Sequence, residues 1–424
     1  MLEVSYIREN KEEVIQRLQK RNIVDIESKL EKIIEVDAFR KKTQTELDQL
    51  LTEGNSIAKE IGALMGKKEF AEAEVLKQKT ADGKEKAALL KVRMIDSENS
   101  LRELLYLIPN MPNNLVPNGK TPEDNENVYQ NKIEIKLEKG ALPHWELAKK
   151  YDLIDFELGV KIAAAGFPVY KNKGARMQRA LINFFLDEAI NAGYMEIMPP
   201  LMVNQASGIG TGNLPDKQGQ MYHDATDDLY LIPTAEVPVT NIYRDTIVRE
   251  DELPIKMTAY TPCFRREAGS YGKEVRGLNR LHQFDKVEIV QFTKPENSYQ
   301  TLDTMVEHVK GLLDKLELPY RVLRLCGGDM GFTSALTYDM EVFSAAQEKW
   351  LEVSSISNFE TFQTNRLKSR FKNKDGKIQL MHTLNGSALA LPRILAALLE
   401  NNQTENGIKM PSVLHRYTGF ETIN

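Results

Sequence analysis

Hydrophobic and small residues in the first third of the chain recur at alternating intervals of four and three. Thr43, Leu47, Leu50, Gly54, Ile57, Ile61 and Leu64 form one series, and Leu76, Thr80, Gly83, Ala87, Leu90, Met94, Ser97, Leu101, Leu104 and Ile108 form another. Such spacing draws a narrow stripe along an α-helix that a single partner helix covers. Gly66-Lys67-Lys68 interrupts the pattern. So short a break predicts two long helices folded back as an antiparallel hairpin, each about 50 Å long at the helical rise. Thr, Gly and Ser within the seams argue against a strong oligomerisation zipper.

The pattern then changes. A Pro/Asn-rich stretch from Pro109 to Asn127 ends the second helix and reads as a linker. Beyond Ile133 the periods mix. Helices are expected over Met177 to Ala192, closing at Gly193, over Ser298 to Leu316, and from about Leu389 to Asn401. Strand-like runs recur at Leu229 to Ile232, Val287 to Phe292, Tyr320 to Leu325, Thr337 to Phe343 and Trp350 to Ser354. Several strands in succession with few crossover helices predict an antiparallel α+β domain rather than a doubly wound one. The expected organisation is an N-terminal domain over 1–110 carrying the helical hairpin, a linker over 111–132 and a second domain over 133–424. No internal repeat is visible.

Composition narrows the class without naming a function. No run of about 18 apolar residues exists, so no membrane-spanning helix is expected. The start, MLEVSYIRENKEE, has no apolar signal region. Only Cys263 and Cys326 occur, which excludes a disulfide framework or a cysteine-rich zinc site and fits a reducing cytoplasm. A formal net charge of −5 argues against coating nucleic acid by net charge alone. It leaves room for a local basic track, and Lys77, Lys79, Lys84, Lys86, Lys91 and Arg93 crowd the second arm helix. These cations suit a solvated coiled-coil face and equally a grip on a polyanion.

The richest chemistry lies between Thr261 and Val290. Two strand-like pieces, around Cys263-Phe264 and from Phe284 to Val290, flank a loop of glycine and charge. Arg265 and Glu267 on the first, and Lys286 and Glu288 on the second, are expected to share a face by period-two alternation. Such a face is either solvated or a polar substrate floor, since unpaired charge in a core is costly. Three further clusters stand beside it: Thr234-Ala235-Glu236, Glu352-Val353-Ser354-Ser355, and Asn385-Gly386-Ser387 ahead of a helix with Arg393. No glycine-rich phosphate loop or dinucleotide fingerprint is present. Any nucleotide must then be held by side chains, with arginines on phosphates, an aromatic on the base and oxygen ligands on magnesium. Blander assignments exist: an ion pair for Arg265 and Glu267, a core aromatic for Phe284, turn hydrogen bonds for Ser354 and Ser355, and a helix N-cap for Ser387.

TAE, FRRE, HQFDKVE, EVSS and NGS in this order, behind a helical arm, resemble a class II aminoacyl-tRNA synthetase, specifically the bacterial and eukaryotic type of the seryl-tRNA synthetase family. The resemblance covers essentially the whole chain. Gly193-Tyr194 followed by Pro200 is similar to motif one, which in the family forms a homodimer interface. Phe264-Arg265-Arg266-Glu267 is similar to motif two, and Asn385 to Glu400 to motif three. The resemblance implies an ATP-dependent ligase that activates L-serine and charges tRNA(Ser), and also tRNA(Sec) where one exists. It implies that Arg265 contacts the α-phosphate, Glu267 orients adenine, Phe284 stacks on it with Leu281 nearby, and Arg393 grips the γ-phosphate, with Arg266 in the same ATP site. Glu352 and Ser355 would hold Mg2+, with Val353 and Ser354 lining the site; no zinc is implied. Thr234, Ala235, Glu236, Glu288, Asn385 and Ser387 would receive serine. The loop from Ala268 to Asn279 would meet the tRNA acceptor end, while His282 stays structural and Lys286 is left to solvent. Two departures are evident. Pro392 stands where the family usually has glycine, which fits a helix starting near Leu391, and Ile356-Ser357-Asn358 stands where a cysteine is more frequent.

Overall fold

The computed structural model describes residues 1–216, 219–267 and 276–424. They divide into two compact units, one of Met1–Gln19 and Ile23–Pro109, the other of Lys20–Asn22 and Asn110–Asn424.

The first unit is helical. Two short helices, Val4–Glu9 and Lys11–Gln19, precede the long pair Ile26–Lys67 and Phe70–Tyr106. Every position of both expected seams is buried or half-buried, and their flanks are largely exposed. The turn lies at Lys68, in left-handed backbone with φ 65°. Lys79 Nζ reaches across the hairpin to Glu53 at 2.8 Å. The seam also runs further back than its apolar pattern indicates, because a charge occupies it: buried Asp37 is held by Arg8 (3.1 Å), Arg40 (2.9 Å) and Lys41 (3.1 Å).

The second unit is built on an eight-stranded sheet. From one edge its strands are Glu126–Gln130, Tyr320–Arg324, Leu336–Ser344, Lys349–Glu360, His382–Ala390, Gln283–Thr293, Ile255–Phe264 and Met195–Glu196. All neighbours pair antiparallel except the last two, which are parallel. One face carries Val287, Ile289, Met340, Val342, Ile356, Leu384 and Ala388. Helices Asn172–Asn191, Ser298–Lys315 and Leu391–Asn401 pack on that face and form the main core with it.

Several elements differ from the pattern-based expectation. The stretch expected as a linker contains the edge strand Glu126–Gln130, whose polar sequence gave no strand signal. The helix expected from Met177 begins at Asn172. NGS lies inside the strand His382–Ala390, and the final helix starts at Leu391 with Ala390 as its N-cap, so Ser387 is not a cap. Pro392 sits in the first turn, where its missing N–H has no partner to lose.

Candidate active site

Directly opposed residues of an antiparallel pair point to the same face, so pairing alone shows what the uncovered face carries. Glu288 lies opposite Ser387, and Lys286 opposite Thr261. Asn385 lies opposite Ser357, and Ser355 opposite Asp339. One continuous face therefore presents Phe284, Lys286, Glu288, Ser387, Asn385, Ser355 and Asp339. Glu352 and Ser355 are three apart, which in a regular strand would put them on opposite faces. A register shift pairs Glu352 with Glu341 and Ser355 with Asp339, two apart on their own strand. That bulge returns both to the polar face.

At one end the face is apolar. Met257, Ala259, Val290 and Phe292 pack there with Ala235 and Val239 beside the short helix Glu236–Asn241. Thr234-Ala235-Glu236 thus closes the polar region at the start of a helix rather than at a strand end. Thr234 Oγ1 accepts from Lys286 Nζ at 2.8 Å, and Lys286 Nζ pairs with Glu288 Oε2 at 2.5 Å. Asn385 Nδ2 donates to Glu288 Oε1 at 2.8 Å. Lys286 is 5% exposed and Glu288 1%. Lys286 is therefore not solvated: it is the cation that makes a buried carboxylate tolerable. Glu288, two residues on and so on the same face of the strand, was the available signal.

Glu236 Oε1 accepts from Gln363 Nε2 at 2.7 Å. Burial, and then the charge of Glu288, push its carboxyl up to about 7 against an ordinary 4.5. The folded protein retains this proton between pH 4.5 and about 7 while the unfolded chain releases it. Stability is thus fully present below pH 4.5 and is lost as pH rises through 7. Glu236→Gln keeps the acceptor and removes that loss. The variant is expected to melt a few degrees above the wild type at pH 8 and together with it at pH 4.5. The underlying shift corresponds to roughly 3 kcal/mol, and melting curves at the two pH values check it. Equal melting at pH 8 would contradict the assignment.

At the other end, the hairpin strand stops at Phe264, so Arg265 and Glu267 do not continue its alternation. Glu267 has φ 47°, and tertiary contacts rather than pleating direct both side chains. Arg265 Nε donates to the Pro233 carbonyl at 3.3 Å, and its guanidinium lies 5.3 Å from the Phe284 ring centroid. Arg280 Nε donates to Glu267 Oε2 at 2.5 Å. Arg393 Nε donates to the Asn279 carbonyl at 3.0 Å, and its Nη1 to the Glu352 carbonyl at 2.7 Å, 3.7 Å from Glu352 Oε2. Arg266 is exposed. Leu281 and Val353 are buried in the core, and Ser354 Oγ donates to the Ser387 carbonyl at 2.5 Å. Contacts of Val353 and Ser354 with a ligand would run through their backbone. His282 stacks on Phe167 at 5.4 Å, and its Nδ1 lies 2.9 Å from the Tyr222 hydroxyl. Within the 268–279 loop, residues 268–275 lie outside the described residues.

Asp339 is a further acidic group that the sequence alone did not single out, because only strand pairing brings it to Ser355. Its Oδ1 is buried with no hydrogen-bond partner. Burial, followed by the charge of Glu352, raises its carboxyl well above the usual range. An orphaned carboxylate oxygen beside Glu352 and Ser355 is an oxygen-rich setting that fits a hard divalent cation. Among the described residues no three or more His, Cys, Asp or Glu side chains converge as a metal cage. Magnesium, which takes few protein ligands and completes its shell with phosphate and water, suits that arrangement. Among the described residues, no helix is long and apolar enough to cross a membrane.

Known proteins share both units. A family model of the seryl-tRNA synthetase N-terminal domain matches residues 1–112, and one of the tRNA synthetase class II core domain (G, H, P, S and T) matches 220–402. The serine–tRNA ligase of Salinibacter ruber is 48% identical over 425 residues, covering 100% of this chain and 99% of that protein. That of Chlorobaculum parvum is 45% identical and covered in full. The crystal structure of seryl-tRNA synthetase from Pyrococcus horikoshii complexed with ATP superposes with a TM-score of 0.92 at 33% identity, covering 100% of this chain and 99% of that one.

Proposed function

The chain belongs to the seryl-tRNA synthetase family, and on that premise we propose that it activates L-serine with ATP and transfers the seryl group to tRNA(Ser). In the first step a serine carboxylate oxygen attacks the α-phosphorus, the bond from that phosphorus to the bridging oxygen breaks, and pyrophosphate leaves. In the second, a hydroxyl of the tRNA 3′-terminal ribose attacks the seryl carbonyl, and AMP departs. No protein nucleophile takes part; the enzyme supplies positioning and charge neutralisation. Arg265 neutralises the α-phosphate, Glu267 orients adenine over Phe284, and Arg393 takes the γ-phosphate. Arg266, near the edge of this site, adds positive charge. Glu352 and Ser355 would hold Mg2+, which when bound screens the phosphate charges.

The observation that carries the serine assignment is the buried set of Lys286, Glu288, Asn385 and Thr234, closed by Glu236 and Ser387. A pocket built from hydrogen-bonding groups rejects alanine, because binding it leaves those groups unpaired. Titration with a non-hydrolysable seryl-adenylate analogue and its alanyl counterpart tests this. The seryl compound is expected to bind more tightly by on the order of a thousandfold; comparable affinities would sink the assignment.

The arm supports a tRNA substrate over a carrier protein, because its second helix exposes Lys84, Lys86, Lys91 and Arg93. Structured RNA is held through shape and backbone by such a surface. Charging of tRNA(Sec) by the same route and a cytoplasmic site of action belong to this reading. So does a homodimer formed through the motif-one segment, where Met195, Met198, Leu201 and Met202 are exposed apolar residues.

A further inference from the structure

His144 and Glu400 are fully shielded from solvent and face none of the groups on the polar floor. His144 opens the helix His144–Lys150, and Glu400 lies near the end of Leu391–Asn401. Glu400 Oε1 accepts from His144 Nδ1 at 2.7 Å, from the His144 backbone N–H at 2.8 Å and from Gln347 Nε2 at 2.9 Å. Its Oε2 accepts from the Ser344 hydroxyl. On the far side of the ring, the Leu278 backbone N–H donates to His144 Nε2 at 2.8 Å. A backbone amide can only donate, so Nε2 bears no proton and the ring is the neutral tautomer with its hydrogen on Nδ1.

The return leg of the motif-two loop is seated on this ring. Gly277 has φ +68°, and a Cβ there would lie 2.2 Å from His144 Nε2, so glycine alone permits the approach. The next two residues of the helix hold the preceding loop residue. The Arg276 guanidinium lies 4.8 Å from the Trp145 ring centroid and 3.5 Å from Glu146 Oε1. Three consecutive residues thus seat three consecutive residues. Just beyond them, Arg280 holds Glu267, and the Asn279 carbonyl receives Arg393. The Asn279 amide donates to Gln347 Oε1 at 2.9 Å, which links the loop to Glu400 a second time.

The geometry points to His144 and Glu400 as positioning residues for adenylate formation: they set the height of Arg276–Leu281, and through it the placement of Glu267 and Arg393. The inference rests on the ATP-dependent activation of serine proposed above. Neither residue touches substrate. A buried cluster in which every side-chain polar atom of His144 and Glu400 is paired is rigid, and supporting groups of this kind are commonly worth ten- to a hundredfold, by analogy with metal sites.

Two substitutions separate positioning from simple packing. His144→Asn keeps a polar group at the Nδ1 position facing Glu400 but removes the acceptor for Leu278. His144→Gln reaches the Nε2 position and keeps that acceptor. In serine-dependent ATP–pyrophosphate exchange, His144→Asn is expected to raise the KM for ATP about tenfold, with the KM for serine changed by less than about twofold. His144→Gln is expected to stay within about threefold of wild type for ATP. A role confined to satisfying Glu400 predicts the reverse order, and that order overturns the inference. Arg276→Ala removes an exposed side chain, leaves the core intact, and is expected to raise the KM for ATP about threefold. If both His144 variants fail to fold, an unchanged KM for ATP in Arg276→Ala overturns the inference. Wild-type exchange, measured alongside, stands apart: its absence overturns the proposed activity, whereas normal exchange with indifferent variants overturns only the positioning role.

Discussion

Arg265→Ala is expected to lower serine-dependent ATP–pyrophosphate exchange by about two to three orders of magnitude, the usual loss for one donor aimed at developing charge. Arg265 does not continue the hairpin strand; the Pro233 carbonyl orients its Nε, and its guanidinium lies over Phe284. That anchoring presents the planar fork at the edge of the aromatic platform, where the α-phosphate would lie. Arg265→Lys is expected to recover little, because an ammonium reproduces neither the fork nor the stacking. Steady-state exchange with saturating serine measures both variants. Activity of Arg265→Ala within tenfold of wild type would mean that the attacked phosphate is neutralised elsewhere.

The second large effect concerns the arm. Removing residues 48–89 and closing the two helices with a short glycine-rich turn deletes the distal hairpin and keeps its root. Exchange is expected to remain within about twofold of wild type, whereas aminoacylation of tRNA should fall more than about a hundredfold at physiological salt, since several cationic contacts to phosphate are lost together. Lys84 and Lys86 leave with that segment, while Lys91 and Arg93 remain at its root. The residual charging should therefore depend less steeply on salt than that of the full chain. Unimpaired charging by the shortened protein would remove tRNA recognition from the arm.

The arm was legible because its information is local. A four-three repeat dictates a seam whatever else the chain does, and the seam positions from Thr43 to Leu64 and from Leu76 to Ile108 are all buried or half-buried. The hidden part was Asp37, which continues the seam as a charge satisfied by three cations. The polar floor was legible only as a set of clusters. Which residues share its face depends on pairings between strands far apart in sequence, and on a bulge that returns Ser355 to the side of Glu352. Neither leaves a trace in local periodicity. The same limit explains why Lys286 read as solvated: Glu288 is two residues along its own strand, but Thr234, its other partner, lies 52 residues away in sequence. Asp339 and the His144–Glu400 pair were silent for that reason too. Each acquires its meaning from a neighbour more than ten residues away.

The polar floor is expected to activate serine and to discriminate by its hydroxyl. Pyrophosphate exchange, run with ATP and each of serine, alanine, glycine and threonine in turn, tests it most directly. Robust exchange is expected with serine, and on the order of a thousandfold less with alanine or glycine, where the buried polar groups stay unpaired. Exchange that proceeds equally with alanine, or that is absent with all four, would contradict it.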